Sequence, residues 1–299
     1  MALTGLDSNE LKLILLGGKG GVGKTSCATA IAIELSKIFK TILISTDPAH
    51  SVSDSLEQSI GFKQQPVKGV NNLTAIEIAA EVAFSTFKEQ HQAQLEKLFD
   101  TSTNLDQEDI GQLMDVSIPG IDEIMSFKII TDFLEEGKYD KLVVDTAPTG
   151  HALRLLASPK LLDEWIKVAA RIRWKYRYMV TSFSGSYQND DVDDFLLDLK
   201  KTVKRIENLL HDNTRCEFIP VCIPELMAIR GTSRLLSSLS EFEMHPRQII
   251  VNNVMEADDC DFCKRKKASQ SKYLQEIGET FKNLNMVKVP LFPEEIKGL

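Results

Sequence analysis

Lys19 and Lys24 stand in one glycine run, Gly18-Lys19-Gly20-Gly21-Val22-Gly23-Lys24-Thr25, followed by Ser26. The run fits G-x-x-x-x-G-K-[ST], a pattern whose chemistry is the cradling of phosphates. Glycines let backbone N–H groups turn inward around anionic oxygens, and a helix that follows points its positive end at the same charge. In such a loop Lys24 reaches the β- and γ-phosphates of ATP and the Thr25 hydroxyl ligates Mg²⁺. Two aspartates belong with it. Asp47 opens Asp47-Pro48-Ala49-His50-Ser51, and Asp145 ends the apolar run Leu142-Val143-Val144 and opens Thr146-Ala147-Pro148-Thr149-Gly150-His151. A carboxylate at the C-terminal edge of a parallel strand faces the ligand crevice. There Asp47 orients or deprotonates the attacking water, Asp145 holds Mg²⁺ directly or through water, and Ser51 sits near the ion. The other reading of Asp47 is a turn cap, since Asp-Pro is a common turn opener. Pro148 and Gly150 suit a loop that changes shape when a γ-phosphate leaves, and His151 either transmits that change or is packed.

These residues need strands that end at them. Residues 11–16 are an apolar run stopping at the glycines, which predicts a buried parallel strand. Residues 24–38 carry helical spacing, with Ala28, Ile31, Ala32 and Leu35 on the apolar side. Further strands are predicted over 41–45, 73–78, 141–144, 218–223, 248–252 and 286–291. Strands alternating with helices predict an α/β fold, a mostly parallel sheet flanked by helices. Two mostly helical stretches, 82–136 and 158–212, break the rhythm and predict a helical subdomain inserted into a single domain spanning 1–299. Residues 182–194 read as a mobile loop. Phe84, Phe87, Leu95, Leu98 and Phe99 share helical spacing, as do Met114, Ile118, Ile121, Ile124 and Met125; each stripe suits a plain core or an apolar groove. Arg171, Arg173, Lys175 and Arg177 interleave with Trp174, Tyr176 and Tyr178, again as core and surface or as groove lining, and Met179 is the only methionine of 165–183.

The chain has 299 residues, 43% of them hydrophobic, enough for a large core. Its net charge of -8 speaks against a general nucleic-acid binder. The first eleven residues have neither the basic start nor the apolar run of a secretory signal, and no stretch reads as a transmembrane helix. The five cysteines are odd in number and mostly scattered, which suits a reducing compartment, and the expected location is the cytoplasm. Cys260-Asp261-Phe262-Cys263 is the exception. A lone CxxC is half of a tetrahedral zinc site, a redox pair, or chance.

The joint pattern GGKGGVGKTS, TDPAHS and DTAPTGHALRLL resembles the arsenite-pump ATPase family, and within it the eukaryotic and archaeal branch that targets tail-anchored membrane proteins. The resemblance implies a P-loop NTPase of the deviant Walker A (SIMIBI) type. In that class the extra lysine, here Lys19, reaches a partner's nucleotide across a homodimer. Phe218 to Glu225 resembles the strand leading to a nucleotide-proximal glutamate, here Glu225. Asn252 matches the asparagine that reads adenine, its amide able to donate and accept at once. Pro290-Leu291-Phe292-Pro293-Glu294-Glu295-Ile296-Lys297 resembles the loop that closes over the base. Cys260 and Cys263 match the pair that completes a four-cysteine Zn²⁺ site, one ion per dimer, with a second copy. The implied partners are tail-anchor transmembrane helices and a receptor at the endoplasmic reticulum membrane, with peripheral association there and no nucleic acid. The arsenite pump itself binds metalloid through other cysteines, and none lies between Cys27 and Cys216 here. The helical region is methionine-poor for the branch, and Ile229-Arg230-Gly231-Thr232-Ser233 replaces an acidic, tyrosine-containing segment where relatives meet partners.

Two functions follow: an ATP-hydrolysing targeting factor with an apolar groove, or an arsenite-pump-type or redox-regulated ATPase without helix cargo. Both need the same hydrolytic aspartate. Asp47→Asn is expected to bind ATP as wild type does and to lose at least about 100-fold in turnover; turnover within twofold of wild type would remove Asp47 from catalysis.

Overall fold

The structure is a computed structural model. It describes residues 3–47, 51–103, 121–146, 159–160, 162–167, 169–171, 174, 178, 182 and 190–298. The candidates Pro48, His50, Met114, Ile118, Pro148, Gly150, His151, Arg173, Lys175, Tyr176, Arg177 and Met179 lie outside the described residues. The chain divides into two compact units, one of residues 1–79, 132–153 and 209–299, the other of 80–131 and 154–208.

The first unit is built on β1 (Leu13–Gly17), β2 (Thr41–Ser45), β3 (Gln65–Pro66), β4 (Leu73–Glu77), β5 (Lys141–Asp145), β6 (Cys216–Cys222), β7 (Gln248–Val254) and β8 (Asn285–Pro290). They form one eight-stranded sheet in the order β3-β4-β2-β5-β1-β6-β7-β8. Every pairing is parallel except β3 with β4. Strands β1, β2, β5 and β6 are buried from end to end, as unbroken apolar runs covered on both faces must be. The helix after β1, α1 (Lys24–Ser36), buries Cys27, Ala28, Ile31, Ala32 and Leu35 into the cluster that also holds Ile14, Leu16, Leu43 and Val143. β1 is flanked by β5 and β6, and the chain runs from it to β2 on one side while later strands fill the other. That reversal is the switch point where open α/β sheets hold ligands, beyond the carboxyl ends of their strands. β3, two residues and antiparallel, carries no apolar alternation, and sequence periodicity does not reveal it.

The second unit is helical among its described residues. It holds α3 (Ala80–Gln90) and α4 (Gln92–Thr103), and helical backbone recurs over 162–167 and 169–171. Two helices cross the division between the units, α5 (Ile121–Glu135) and α6 (Asp191–His211). Phe87, Leu95, Leu98, Ile124 and Met125 are buried and belong to the core, while Phe84 is half-buried. Trp174 and Tyr178 instead stack in the open, each about two-thirds exposed (66% and 67%), with centroids 6.2 Å apart. Of the loop expected over 182–194, residues 183–189 lie outside the described residues and both described ends carry helix. Ser182 is helical, and α6 begins at Asp191 because Asp190 Oδ1 accepts from Val192 N (3.1 Å) and Asp193 N (3.3 Å). This acidic cap stabilises the first turn of α6.

At the amino-terminal ends of the strands, Lys141 is buried beside β1. Its Nζ donates to the carbonyls of Ser8 and Leu11, the latter at 2.6 Å, and lies 4.6 Å from the Phe39 ring centre. Gln248 clamps the same leading segment, accepting from Thr4 N (2.9 Å) and donating to Thr4 O (3.0 Å). Burial pulls the Lys141 ammonium down to about 8 from an ordinary 10.5, with Lys12 adding repulsion. Between those values the unfolded chain binds the extra proton, so this group's contribution to stability rises with pH. Lys141→Met is expected to cost roughly 1–3 kcal/mol at pH 7, since two buried carbonyls lose their donor. It should also flatten the rise in unfolding free energy that wild type shows between pH 8 and 10; parallel pH profiles in denaturant titrations would contradict this.

Candidate functional site

The glycine run bridges β1 and α1, and its conformation depends on having no side chains at particular points. Gly21 and Gly23 have φ of 79° and 87°, and Gly23 is the residue that caps α1. A Cβ at Gly18 would lie 2.3 Å from Val221 O, and one at Gly23 would lie 2.2 Å from the Asn252 side-chain nitrogen. The loop is therefore pressed against β6 on one side and against β7 on the other. Asn252 Nδ2 donates to Val22 O at 3.0 Å, joining β7 to the loop by a buried bond. Asn252 and Asn253 sit where the β7–β8 register shifts, and Asn253 has φ of 59°. Buried Gln270 on α8 (Asp261–Thr280) holds this irregularity, donating to Asn253 O (2.9 Å) and accepting from Met255 N (2.8 Å).

Beneath the loop, Asp145 at the end of β5 accepts from Thr25 Oγ1 at 2.6 Å through Oδ2, with Ser51 Oγ 3.5 Å from the same oxygen. Ser51 opens the short helix α2 (Ser51–Ser55), which is anchored because Ser53 donates through N and Oγ to Glu77 of β4, at 2.9 and 3.0 Å. Asp145 Oδ1 is buried and has no hydrogen-bond partner among the described residues. Burial raises the Asp145 carboxyl to about 6, against the pull of Thr25, Lys24 and Ser51. Burial lowers the Lys24 ammonium, which Asp145 and Asp47 partly offset, and Lys24 Nζ lies 3.5 Å from Lys19 O. An unsatisfied buried carboxylate oxygen beside two hydroxyls is the hard-oxygen donor set that Mg²⁺ favours. Thr25 and Asp145 would hold it.

Over the loop lies a cleft of about 1390 Å³, lined by Gly21, Gly23, Thr25, Ser26, Ser51, Asn252 and Asn253. Its far wall is the segment after β8, with Leu291, Phe292, Glu294, Glu295, Ile296 and Lys297. That segment is fastened at both ends, by Leu291 N to Val254 O (2.8 Å) and by Gly298 N to Ser55 O (2.9 Å), with Lys297 3.1 Å from Glu57. Of the sequence-derived candidates, Asp47 follows β2 at the mouth of the site, its N donating to Ser45 Oγ at 3.1 Å, and Lys19 and Gly20 are exposed. Glu225 does not line the cleft. It caps α7 (Leu226–Glu241) and faces Lys266 at 4.0 Å. Sequence reading missed Leu3, Gly5 and Leu6, which wall the cleft from the leading segment; no local pattern marks them, because Lys141 and Gln248 place them from far along the chain.

The cysteines fall into two environments. Cys27, Cys216 and Cys222 are buried, and burial pushes all three thiols up, Cys27 to about 12. Cys260 and Cys263 lie at the open start of α8, where Cys260 Sγ accepts from Cys263 N (3.2 Å) and is 2.7 Å from Cys263 Sγ.

The anion-transporting ATPase family matches residues 11–299. The chain is 37% identical over 308 residues to ATPase GET3 of Lachancea thermotolerans, covering 98% of this chain and 88% of that protein. It is 34% identical over 304 residues to ATPase ASNA1 homolog 1 of Paramecium tetraurelia, covering 98% and 91%. It is 33% identical to ATPase get3 of Aspergillus terreus over 304 residues, covering 98% and 88%.

Gly23→Ala joins backbone strain to a clash with Asn252, at about 1–3 kcal/mol for the strain alone. Nucleotide affinity is expected to fall at least about tenfold. Calorimetric titration with a nonhydrolysable ATP analogue checks this, and an affinity within twofold of wild type would refute it.

Proposed function

The chain belongs to the anion-transporting ATPase family, and from that premise we propose that it is a homodimeric targeting factor for tail-anchored membrane proteins. It is an ATPase, and its family implies ATP and Mg²⁺. The observation that carries the finer reading is full-length kinship to the GET3 and ASNA1 ATPases, together with the Thr25–Asp145 pair under the glycine loop. In this reading Lys24 and the loop amides hold the phosphates and Asp47 orients the attacking water. Lys19, exposed at the loop tip, reaches the nucleotide of a second copy. Asn252 and residues 290–297 enclose the base, while Glu225 would need its partner Lys266 to release it before approaching nucleotide. Loss of γ-phosphate loosens the segments after Asp47 and Asp145, an order–disorder switch coupled to movement of the helical residues 82–136 and 158–212.

Those helical residues would receive the cargo, an apolar helix laid into a groove. Among the described residues of the helical unit, the large apolar side chains left exposed are Val82, Trp174, Tyr178 and Leu197. Among the described residues no helix is long and apolar enough to cross a membrane. That fits a factor that works in the cytoplasm and visits the endoplasmic reticulum through a receptor there. Cys260 and Cys263 from two copies would enclose one Zn²⁺ as a four-thiolate site.

Co-expression with a tail-anchor helix tests the cargo. Native mass spectrometry is expected to find two protein chains with one helix, and ATP turnover to persist in the purified complex. Absence of any helix from a protein that still hydrolyses ATP would overturn the targeting reading in favour of a cargo-free ATPase.

A further inference from the structure

The start of α8 brings together more donors than the CxxC pair. A carboxylate oxygen of Asp259 and the sulfurs of Cys260 and Cys263 all lie within 4.8 Å of one another, and all three come from one chain. Asp259 and Cys260 are exposed and Cys263 half-exposed, so a cation and a further ligand have free access.

The dimensions suit a tetrahedral ion. Zn–S near 2.3 Å and Zn–O near 2.1 Å place two thiolates about 3.8 Å apart, and a thiolate and a carboxylate oxygen about 3.6 Å apart. The three donors lie within 4.8 Å of one another, a range that includes those spacings, and none of the three residues is buried. Cys260 caps the positive end of a helix, which favours a thiolate at that sulfur. Lys264, Arg265, Lys266 and Lys267 follow in the next turn and offset the negative charge of the donor set.

We propose that each chain loads a thiophilic divalent cation by itself, through Asp259, Cys260 and Cys263, with water as the fourth ligand. The second step rests on the shared zinc site of the proposed function. When a loaded chain meets an empty one, the water and the Asp259 carboxylate leave the ion. The partner's two thiols bind in their place and release two protons to solvent. Asp259 is thus the ligand that holds the metal until a second copy arrives, and assembly becomes dependent on pH and on the fraction of chains already loaded.

The test uses the reduced, metal-stripped full chain titrated with Co²⁺, reading the thiolate-to-cobalt absorption band, with sedimentation velocity at each concentration. Dilute wild type is expected to bind one Co²⁺ per chain. On concentration, the stoichiometry should fall to one per two chains while the band per ion doubles. Asp259→Ala should weaken binding at high dilution at least about tenfold, a direct ligand mattering no less than an outer one, and leave the concentrated protein unchanged. Wild-type affinity in dilute Asp259→Ala overturns the proposal. Dilute binding that depends on Asp259, with no doubling on concentration, keeps the single-chain site and overturns the exchange step together with the shared zinc reading. Cys260→Ser with Cys263→Ser should abolish both forms, and retained Co²⁺ absorption in that variant also overturns the proposal.

Discussion

A single carboxylate at the end of a buried strand sets the terms for the first unit. Asp145 keeps one oxygen on Thr25 and leaves the other without a partner among the described residues. A charge in that position is tolerable only with compensation, and the chain supplies it asymmetrically. Lys24 is the nearby cation, itself disfavoured by burial, so each group depends on the other and both depend on what fills the cleft. A metal–phosphate ligand supplies what both lack, a cation for the carboxylate and anions for the lysine. The sheet makes this possible by ending β1, β2 and β5 beside one another, so that loop, Asp47 and Asp145 arrive from three strands whose register is fixed by parallel pairing.

Much of this was legible because backbone chemistry leaves a mark in residue type. Gly21 and Gly23 stand where φ is positive, and the apolar runs at β1, β2 and β5 are strands buried on both faces. What was not legible depends on distant partners. Asn252 is recognisable as an amide, but its bond to Val22 O and its closeness to Gly23 come from a shifted strand register held by Gln270. The leading segment enters the cleft only because Lys141 and Gln248 seize its carbonyls and amide. The acidic start of α6 was misread as loop because Asp190 to Asp194 looks merely polar, whereas carboxylates there complete a helix end. Glu225 is a motif position whose side chain faces Lys266 and does not line the cleft.

The five cysteines show how environment divides one residue type into two chemistries. Cys27, Cys216 and Cys222 behave as small apolar groups, their thiolates suppressed by burial. Cys260 and Cys263 sit at an open helix start with a backbone N–H directed at sulfur, the setting in which thiolates become available to metals. The separation keeps the exposed thiols away from the sheet, where a cross-link between strands would distort the register that positions Asp47 and Asp145.

The segment after β8 is fixed to the end of β7 through Leu291 and to α2 through Gly298 and Lys297. Helix α2 carries Ser51, which faces Asp145. The cleft wall of residues 291–297 and the Ser51 hydroxyl beside Asp145 are therefore linked to one another. The link between them runs through the Gly298–Ser55 hydrogen bond and the Lys297–Glu57 ion pair. Loosening of those two contacts would free the cleft wall and the helix that carries Ser51 together.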